Sequence, residues 1–171
     1  LTAIRHPDEM LTHHLLDCLA AVPALRRRLG EAPQQVLDVG AGAGLPGVAW
    51  AIVQPHWQVT CVDAVAKKAT FIRQVAAELA LPNLRAEHAR VEDLRPLPWT
   101  LITSRAFASL ADFVNLTRPL LAPGGWWAAM KGRAPDDEQT GLPAGISIEA
   151  VEPLAVPGLD AERCLVWMRQ R

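Results

Sequence analysis

The 171-residue sequence predicts an α/β fold with a Rossmann-like sheet that is mostly parallel, has an antiparallel edge strand and carries helices on both faces. Short apolar runs alternate with helix-like segments from residue 36 to residue 131, as in successive βαβ units. A glycine cluster separates the first strand from its helix. Two strand-like runs with no convincing helix between them end the chain, which is typical of an antiparallel pair at a sheet edge.

The predicted elements follow in a regular order. From Pro7 onward, apolar residues at helical spacing predict an amphipathic helix. Strands are predicted at 36–39, 59–63, 84–87, 101–103 and 126–131, and then at 146–151 and 164–169. Helices are predicted from the glycine cluster to Pro55, at 70–80 and at 109–121, and a ProGlyGly turn precedes the fifth strand. We expect a single domain over 1–171, with an N-terminal helical segment at 1–30, truncated at its start, and a Rossmann-like core at 34–171.

Composition narrows the class of protein. Half of the residues are apolar, enough for one ordinary core, and the net charge of -1 excludes a histone-like cationic binder while leaving room for a local basic patch. The three cysteines lack CxxC spacing, so neither a disulfide framework nor a zinc site is predicted. The adjacent His13 and His14 cannot form an i, i+4 metal pair, and no metal is predicted. We expect a cytoplasmic protein that has no membrane partner, with a monomer favoured but the oligomeric state open.

The segment DVGAGAGLPG, residues 38–47, is the most informative stretch. Gly40, Gly42 and Gly44 follow a buried strand and precede a helix, where glycine allows positive φ and a close approach of backbone N–H groups to a ligand. This context predicts a nucleoside cofactor. Gly42 and Gly44 with Gly47 also match the GxGxxG spacing of dinucleotide folds, so the glycines alone do not exclude NAD.

Acidic residues and a proline refine the choice of cofactor. Asp38 precedes the first glycine and is placed to meet the positive aminoacyl end of S-adenosylmethionine (SAM), and Pro46 is unsuited to a pyrophosphate cradle. Asp63 ends the second strand, where a carboxylate can accept both ribose hydroxyls of either cofactor class. Glu92 follows the third strand, either near the adenine or as a solvated loop acid.

Eight segments together resemble the RsmG (GidB) family of bacterial 16S rRNA guanine-N7 methyltransferases, whose fold is the class I SAM-dependent methyltransferase sheet. They run from the N-terminus to the last strand, and TSRAFASL beside DVGAGAGLPG is the most specific combination. The segments are LTAIRHPDEML, HLLD, LDVGAGAGLPG, KKATFIRQV, ARVEDL, TSRAFASL, MKGR and GLDAERCLV.

The resemblance implies an activity and a set of site residues. It implies methylation of guanine 527 in 16S rRNA, free or within the small ribosomal subunit. SAM contacts are implied for Gly40, Leu45, Val91, Glu92 and Arg105. Roles in holding RNA or organising the site are implied for Lys67, Arg90, Lys131 and Arg163.

The residues themselves fit this chemistry. Guanine N7 has a lone pair and no proton, so methyl transfer to it needs no general base, and orientation is the main contribution of the enzyme. Arg105 follows the fourth strand and is the predicted catalytic residue, since its donor fork can hold a guanine edge, a phosphate or the methionine carboxylate. Lys131 and Arg133 follow the fifth strand and are predicted to engage phosphates, unless they are merely solvated.

Three other interpretations of the sequence remain open. The first is a methyltransferase of the same class with a small-molecule or protein substrate, whose cofactor half would look identical. The second is a non-catalytic SAM-binding protein. The third is an NAD-dependent dehydrogenase, for which no hydride-transfer residue set is evident.

Overall fold

The structure, a computed structural model, describes residues 6, 9 and 11–171 of the chain. Its strands are β1 (Gln35–Val39), β2 (Gln58–Asp63), β3 (Leu84–His88), β4 (Trp99–Ser104), β5 (Leu121–Lys131), β6 (Ile146–Pro153) and β7 (Cys164–Gln170). Its α-helices are α1 (Asp17–Ala20), α2 (Val22–Leu29), α3 (Gly47–Val53), α4 (Ala66–Glu78) and α5 (Leu110–Thr117). A π-helical turn, Leu11–Leu16, leads into α1. Within the described ranges, no helix has the length and apolar character needed to cross a membrane.

The seven strands form one sheet in the order β3-β2-β1-β4-β5-β7-β6. The pairs from β3 to β5 are parallel, whereas β7 runs antiparallel to both β5 and β6. The strand order reverses between β1 and β4, and in such sheets a ligand crevice opens at the carboxyl ends of the strands flanking the reversal. The predicted mostly parallel sheet with an antiparallel strand near its edge is confirmed.

Helices cover both faces of the sheet. One apolar cluster joins α1, α2 and α3 to the sheet through buried side chains such as Cys18, Leu25 and Trp50. The other cluster packs α5 on the opposite face through Phe113, next to the fully buried Trp127 of β5. The core is therefore a three-layer α/β/α sandwich, with the sheet between two layers of helices.

Two predicted elements differ from the observed ones. The ProGlyGly segment was predicted as a turn before the fifth strand, but β5 already begins at Leu121 and includes these residues. Trp99 pairs with Leu121 ahead of a register shift, after which Leu101 pairs with Trp126, so the strand accommodates the glycines as an irregularity. The predicted N-terminal helix is observed from Leu11 onward, first as a π-helical turn, and its start lies partly outside the described residues.

Gly44 is required by the geometry of the glycine loop. Its φ is +91°, and a Cβ added there would lie 2.5 Å from Cγ2 of Val48 and 3.2 Å from Cγ1 of Ile72. We expect Gly44→Ala to lower the free energy of unfolding by about 2 to 4 kcal/mol, through backbone strain and overpacking together. Gly124→Ala is the control, because its φ is +75° but nothing lies within 4 Å of the added carbon. Urea denaturation of both variants tests this, and equal losses of stability would contradict the packing argument.

Candidate active site

The glycine loop follows β1 and is hydrogen-bonded to the carboxyl end of β2. The backbone N–H groups of Gly40 and Ala41 both donate to the carbonyl of Val62, over 3.0 and 3.3 Å. The N–H of Gly42 donates to Oδ2 of Asp63 over 3.0 Å. The loop is therefore fastened to the end of β2, so its open side is held beside the neighbouring strand ends.

Asp63 is the anchor of this arrangement and also faces a cavity. Its second oxygen, Oδ1, accepts the N–H of Val65 over 2.9 Å, and the residue is only 8% exposed. A carboxylate oxygen can accept two hydrogen bonds, so each oxygen retains acceptor capacity toward a ligand. We call the adjoining space of about 360 Å³ the Asp63 cavity. Its lining residues include Gly40, Val62, Asp63, Ala64, Ala89, Arg90, Val91, Glu92 and Leu116.

A second space, the loop cavity, lies on the other side of Gly40 and has a volume of about 490 Å³. Gly40 lines both cavities, and a Cβ added to it would lie 3.0 Å from Cβ of Ala106. Gly40 therefore contributes only backbone atoms to the wall that the two cavities share. The loop cavity is lined mainly by apolar groups, with His14 and Arg105 as its polar members. Its lining residues are His14, Leu15, Gly40, Ala41, Ala43, Leu45, Val48, Phe71, Val75, Arg105 and Ala106.

The TSR segment at the end of β4 positions Arg105. The hydroxyl of Thr103 donates to the carbonyl of Ala128 on β5 over 2.8 Å, and that of Ser104 donates to the carbonyl of Val39 on β1 over 2.7 Å. Ser104 Oγ also accepts the N–H of Ala106 over 2.9 Å. Both neighbouring strands therefore hold the two residues before Arg105, and Ser104 also holds the residue after it, which orients the Arg105 side chain over the strand ends.

The guanidinium of Arg105 is held by the N-terminal segment. Nη2 lies 3.2 Å from Oδ2 of Asp17 and donates to the carbonyl of His13 over 3.1 Å, while Nη1 donates to Sγ of Cys18 over 3.5 Å. Asp17 is almost fully buried, at 2% exposure. Burial raises the pKa of Asp17, and the positive charges of Arg105 and Arg163 oppose that shift. The guanidinium is thus oriented by three partners.

Arg105 also lines a third space, the basic cavity, of about 260 Å³. Lys131 lies in its wall and donates to the carbonyl of Ala108 over 2.7 Å and to Oε1 of Glu138 over 2.5 Å. Arg163, from the loop before β7, places Nε 3.6 Å from Oδ1 of Asp17. The lining residues are Asp17, Arg105, Met130, Lys131, Gly132, Arg163 and Cys164. Arg105 is therefore shared by the loop cavity and the basic cavity.

Asp38 has a structural contact that sequence reasoning did not predict. The residue is completely buried, and Oδ2 accepts the N–H of Gly47, the first residue of α3, over 2.8 Å. Only glycine fits at position 47, because a Cβ there would lie 2.8 Å from Oδ2 of Asp38 and 2.5 Å from Sγ of Cys61. Asp38 lines neither cavity beside the glycine loop, so its predicted contact with the cofactor stays a prediction, and its observed partner is the start of α3.

The buried carboxyl of Asp38 predicts a pH-dependent stability. Burial raises its pKa to about 7, against the N–H of Gly47 and the charge of Arg105, which lower it. The folded state binds the proton more tightly than the unfolded chain, so this stabilisation is complete below about pH 4 and is lost as the pH rises through about 7. We expect the free energy of unfolding of Asp38→Asn, relative to the native protein, to rise by about 4 kcal/mol between about pH 4 and about pH 8. Urea denaturation across this range measures it, and a constant difference would contradict the titration of Asp38.

The predicted site residues fall into three groups. Leu45 and Arg105 line the loop cavity, Asp63, Val91 and Glu92 line the Asp63 cavity, and Gly40 lines both. Gly42 and Gly44 line neither cavity and shape the loop instead, Gly42 by its hydrogen bond to Asp63 and Gly44 by its close approach to Val48.

Among the predicted RNA-binding residues, Lys131 and Arg163 line the basic cavity. Arg133 lines an adjoining space that shares Gly132 and Arg163 with the basic cavity. Arg90 lies instead at the Asp63 cavity, and Lys67 is exposed on the first turn of α4, separate from the basic cavity.

Two acids at the site were missed by sequence reasoning. Asp17 connects Arg105 to Arg163, and Glu138 connects Lys131 to the start of α5 by accepting the N–H of Leu110 over 2.6 Å. The signal for Asp17 was its spacing, since it lies four residues before the buried Ala21 and so shares its helix face. For Glu138 the sequence carried no signal, because it begins a single 3₁₀ turn, Glu138–Gly141, that has no apolar periodicity.

The Asp63 cavity and the loop cavity, which share Gly40, fit SAM. Asp63 offers a carboxylate with free acceptor capacity at the strand end, where ribose hydroxyls bind in folds of this type. Val91 is a buried apolar wall beside it, and Gly40 lies between this cavity and the loop cavity, which Arg105 lines. The residues that would hold the nucleoside are thus Asp63, Val91 and Glu92, and those that would hold the aminoacyl end are Gly40 and Arg105.

Solved structures share this fold. TrmN from Thermus thermophilus matches with a TM-score of 0.70 and 22% identity, over 94% of this chain and 53% of that chain. A SAM-dependent methyltransferase from Aquifex aeolicus matches with a TM-score of 0.67 and 15% identity, over 95% of this chain and 93% of that chain. At these identities the likeness establishes the fold alone.

Sequence comparisons establish the family. The model of the GidB family, described as rRNA small subunit methyltransferase G, matches residues 1–166. A protein named ribosomal RNA small subunit methyltransferase G from Leptothrix cholodnii is 64% identical over 171 residues, covering all of this chain and 78% of the relative. Its namesake from Methylibium petroleiphilum is 58% identical, covering all of this chain and 77% of the relative. The chain is therefore a SAM-dependent methyltransferase and belongs to the rRNA small subunit methyltransferase G family.

Proposed function

We propose that this protein transfers the methyl group of SAM to N7 of a guanine, guanine 527, in 16S rRNA. The observation that carries the proposal is the position of Arg105, which lines both the loop cavity beside the glycine loop and the basic cavity beyond it. A nucleoside cofactor on one side and an RNA base on the other would meet at this side chain. The names of the relatives, which specify small-subunit rRNA, support the choice of RNA over a small molecule or protein.

The residues at the site suit an attack by guanine N7. When bound, SAM supplies an electrophilic methyl group on a positively charged sulfur. N7 carries a lone pair and no proton, so no residue has to remove a proton, and the acids present are free for other tasks. The contribution of the chain is to orient the two substrates. Gly40 adds only backbone atoms between the Asp63 cavity and the loop cavity, and Arg105 holds its donor fork between the loop cavity and the basic cavity.

The charges around the basic cavity favour RNA without opposing the reaction. Arg105, Arg163 and Lys131 attract phosphates, which is the sequence-independent part of RNA binding. Two acids partly neutralise them, since Asp17 contacts both arginines and Glu138 contacts Lys131. Methylation at N7 leaves a positive charge on the purine, and these acids reduce the repulsion that the three cations would otherwise exert on it.

The test is transfer of tritiated methyl from SAM to small ribosomal subunits that lack the modification, with naked 16S rRNA in parallel. We expect label at one guanine, located by borohydride reduction and aniline cleavage, which are selective for N7-methylguanine. The parallel arms distinguish free rRNA from the subunit as substrate. Label on a different atom or base, or SAM binding without transfer to either RNA, would overturn the proposal.

The compartment follows from the substrate. We propose that the reaction takes place in the cytoplasm, where small subunits are assembled. The three cysteines, Cys18, Cys61 and Cys164, are buried free thiols, which suits a reducing compartment.

A further inference from the structure

One carboxylate oxygen in the wall of the basic cavity is buried and has no hydrogen-bonding role in the proposed reaction. Asp17 lines this cavity with only 3% of its side chain exposed. Oδ2 is engaged by Arg105, whereas Oδ1 has no hydrogen-bond partner among the described residues, because Nε of Arg163 lies 3.6 Å away. Buried carboxylate oxygens are almost always hydrogen-bonded in folded proteins. An unsatisfied one in a cavity wall therefore marks a position where a ligand can donate.

The edge of a nucleobase supplies such donors in only one case. Guanine presents N1–H and the N2 amino group side by side on its Watson–Crick edge, which matches the two parallel acceptors of a carboxylate. Adenine and cytosine present an unprotonated ring nitrogen there, and uracil flanks its single N–H with two carbonyl oxygens. Enzymes that act on an unstacked base commonly read this edge. N7 is not part of it and stays free to react.

We infer that Asp17 selects guanine as the methylated base by accepting its N1–H and N2–H groups. The inference rests on the proposed function and adds a specificity-determining residue to it. Arg163 lies on the loop before β7, and its 3.6 Å contact with Oδ1 is the one that the base edge replaces. Arg105 keeps its contact with Oδ2. The base edge therefore lies beside Arg105, which also lines the loop cavity.

Asp17 also favours the transition state. As the methyl group is transferred, positive charge develops on the purine and N1–H becomes a stronger donor. A hydrogen bond from N1–H to a carboxylate therefore strengthens between the ground state and the transition state, which is the condition for a contact to raise the rate. Selection and acceleration would come from the same carboxylate.

The experiment compares guanosine with inosine at the target position of reconstituted small subunits. Inosine keeps N7 and N1–H but lacks the N2 amino group. We expect the native protein to favour guanosine by roughly 10- to 100-fold in kcat/KM, the value of one hydrogen bond to a charged group. With Asp17→Asn, whose side chain offers one acceptor and one donor, the preference should fall to within about 3-fold. The intrinsic reactivity of the two bases cancels, because the same substrates are used with both proteins.

The outcomes separate the inference from the proposed function. If the native protein transfers no methyl group to guanosine-containing subunits, the proposed function fails, whatever Asp17 does. If it does so but accepts inosine equally well, the inference is overturned without any variant. An unchanged preference in Asp17→Asn, with SAM binding intact by calorimetry, means that Asp17 only orients the arginines and also overturns it. Asp112→Asn, an exposed acid on α5, is the matched control and should keep the full preference.

Discussion

Asp63→Ala is expected to weaken SAM binding by at least about 100-fold. The carboxylate would accept the ribose hydroxyls from the strand end, and each hydrogen bond to a charged group contributes about 1.5 to 3 kcal/mol. The same side chain accepts the N–H groups of Gly42 and Val65, so its loss also removes the contact that holds Gly42 to the end of β2. Isothermal titration with S-adenosylhomocysteine measures the change directly. The loss should exceed what the ribose contacts alone explain, since the loop must reorder on binding.

The control for this variant is Asp93→Ala. Asp93 is an exposed acid in the 3₁₀ turn that follows β3, one residue beyond Glu92 in the cavity wall. Its removal changes the net charge equally, and we expect the affinity to change by less than about 2-fold, because exposed charges are well screened. An affinity for Asp63→Ala within about 5-fold of the native protein would contradict the assignment of the ribose site.

Arg105→Ala should reduce methyl transfer by about 100- to 1000-fold, the usual consequence of removing one preorganised donor from an active site. The side chain lines the two cavities in which cofactor and base are proposed to lie, so both lose the group that orients them. The variant also leaves Oδ2 of Asp17 without its partner, and we expect a loss of about 1 to 3 kcal/mol in the free energy of unfolding. Single-turnover transfer assays and urea denaturation measure the two effects separately.

A lysine at this position separates charge from geometry. Arg105→Lys keeps the positive charge but loses the planar fork that contacts Asp17, Cys18 and the carbonyl of His13. We expect it to recover much of the stability and little of the rate. Arg95→Ala is the control, since Arg95 is exposed and precedes β4, at the opposite edge of the sheet. Equal methyl-transfer activity in Arg105→Ala and the native protein would contradict a role for Arg105 in the mechanism.

Most of the fold was predictable because its signals are local. The run VLDV followed by three glycines and an apolar helix specified β1, the loop and α3, and the observed strand, Gln35–Val39, differs by one residue. Prediction failed at the start of β5, where proline and two glycines normally mark a turn. The pairing of Trp99 with Leu121 extends the strand through these residues, and such a long-range contact has no trace in the local pattern.

The site was predictable where a residue's place in the topology determines its environment. Asp63 ends β2 and Arg105 follows β4, and both strands are parallel, so the two residues had to lie at the same sheet edge. Asp38 shows the limit of this argument, because it lies within β1 and its side chain points into the core toward α3. The connection from Arg105 through Asp17 to Arg163 joins residues that are distant in the sequence, and only the packing of α1 against the strand ends reveals it.

A crystal structure of the protein with S-adenosylhomocysteine tests the central claim most directly, namely that the cofactor spans the Asp63 cavity and the loop cavity across Gly40. We expect ribose hydroxyls within hydrogen-bond distance of Asp63, with the sulfur end beyond Gly40 and facing Arg105. A cofactor bound with no contact to Asp63, or bound entirely on one side of Gly40, would contradict it.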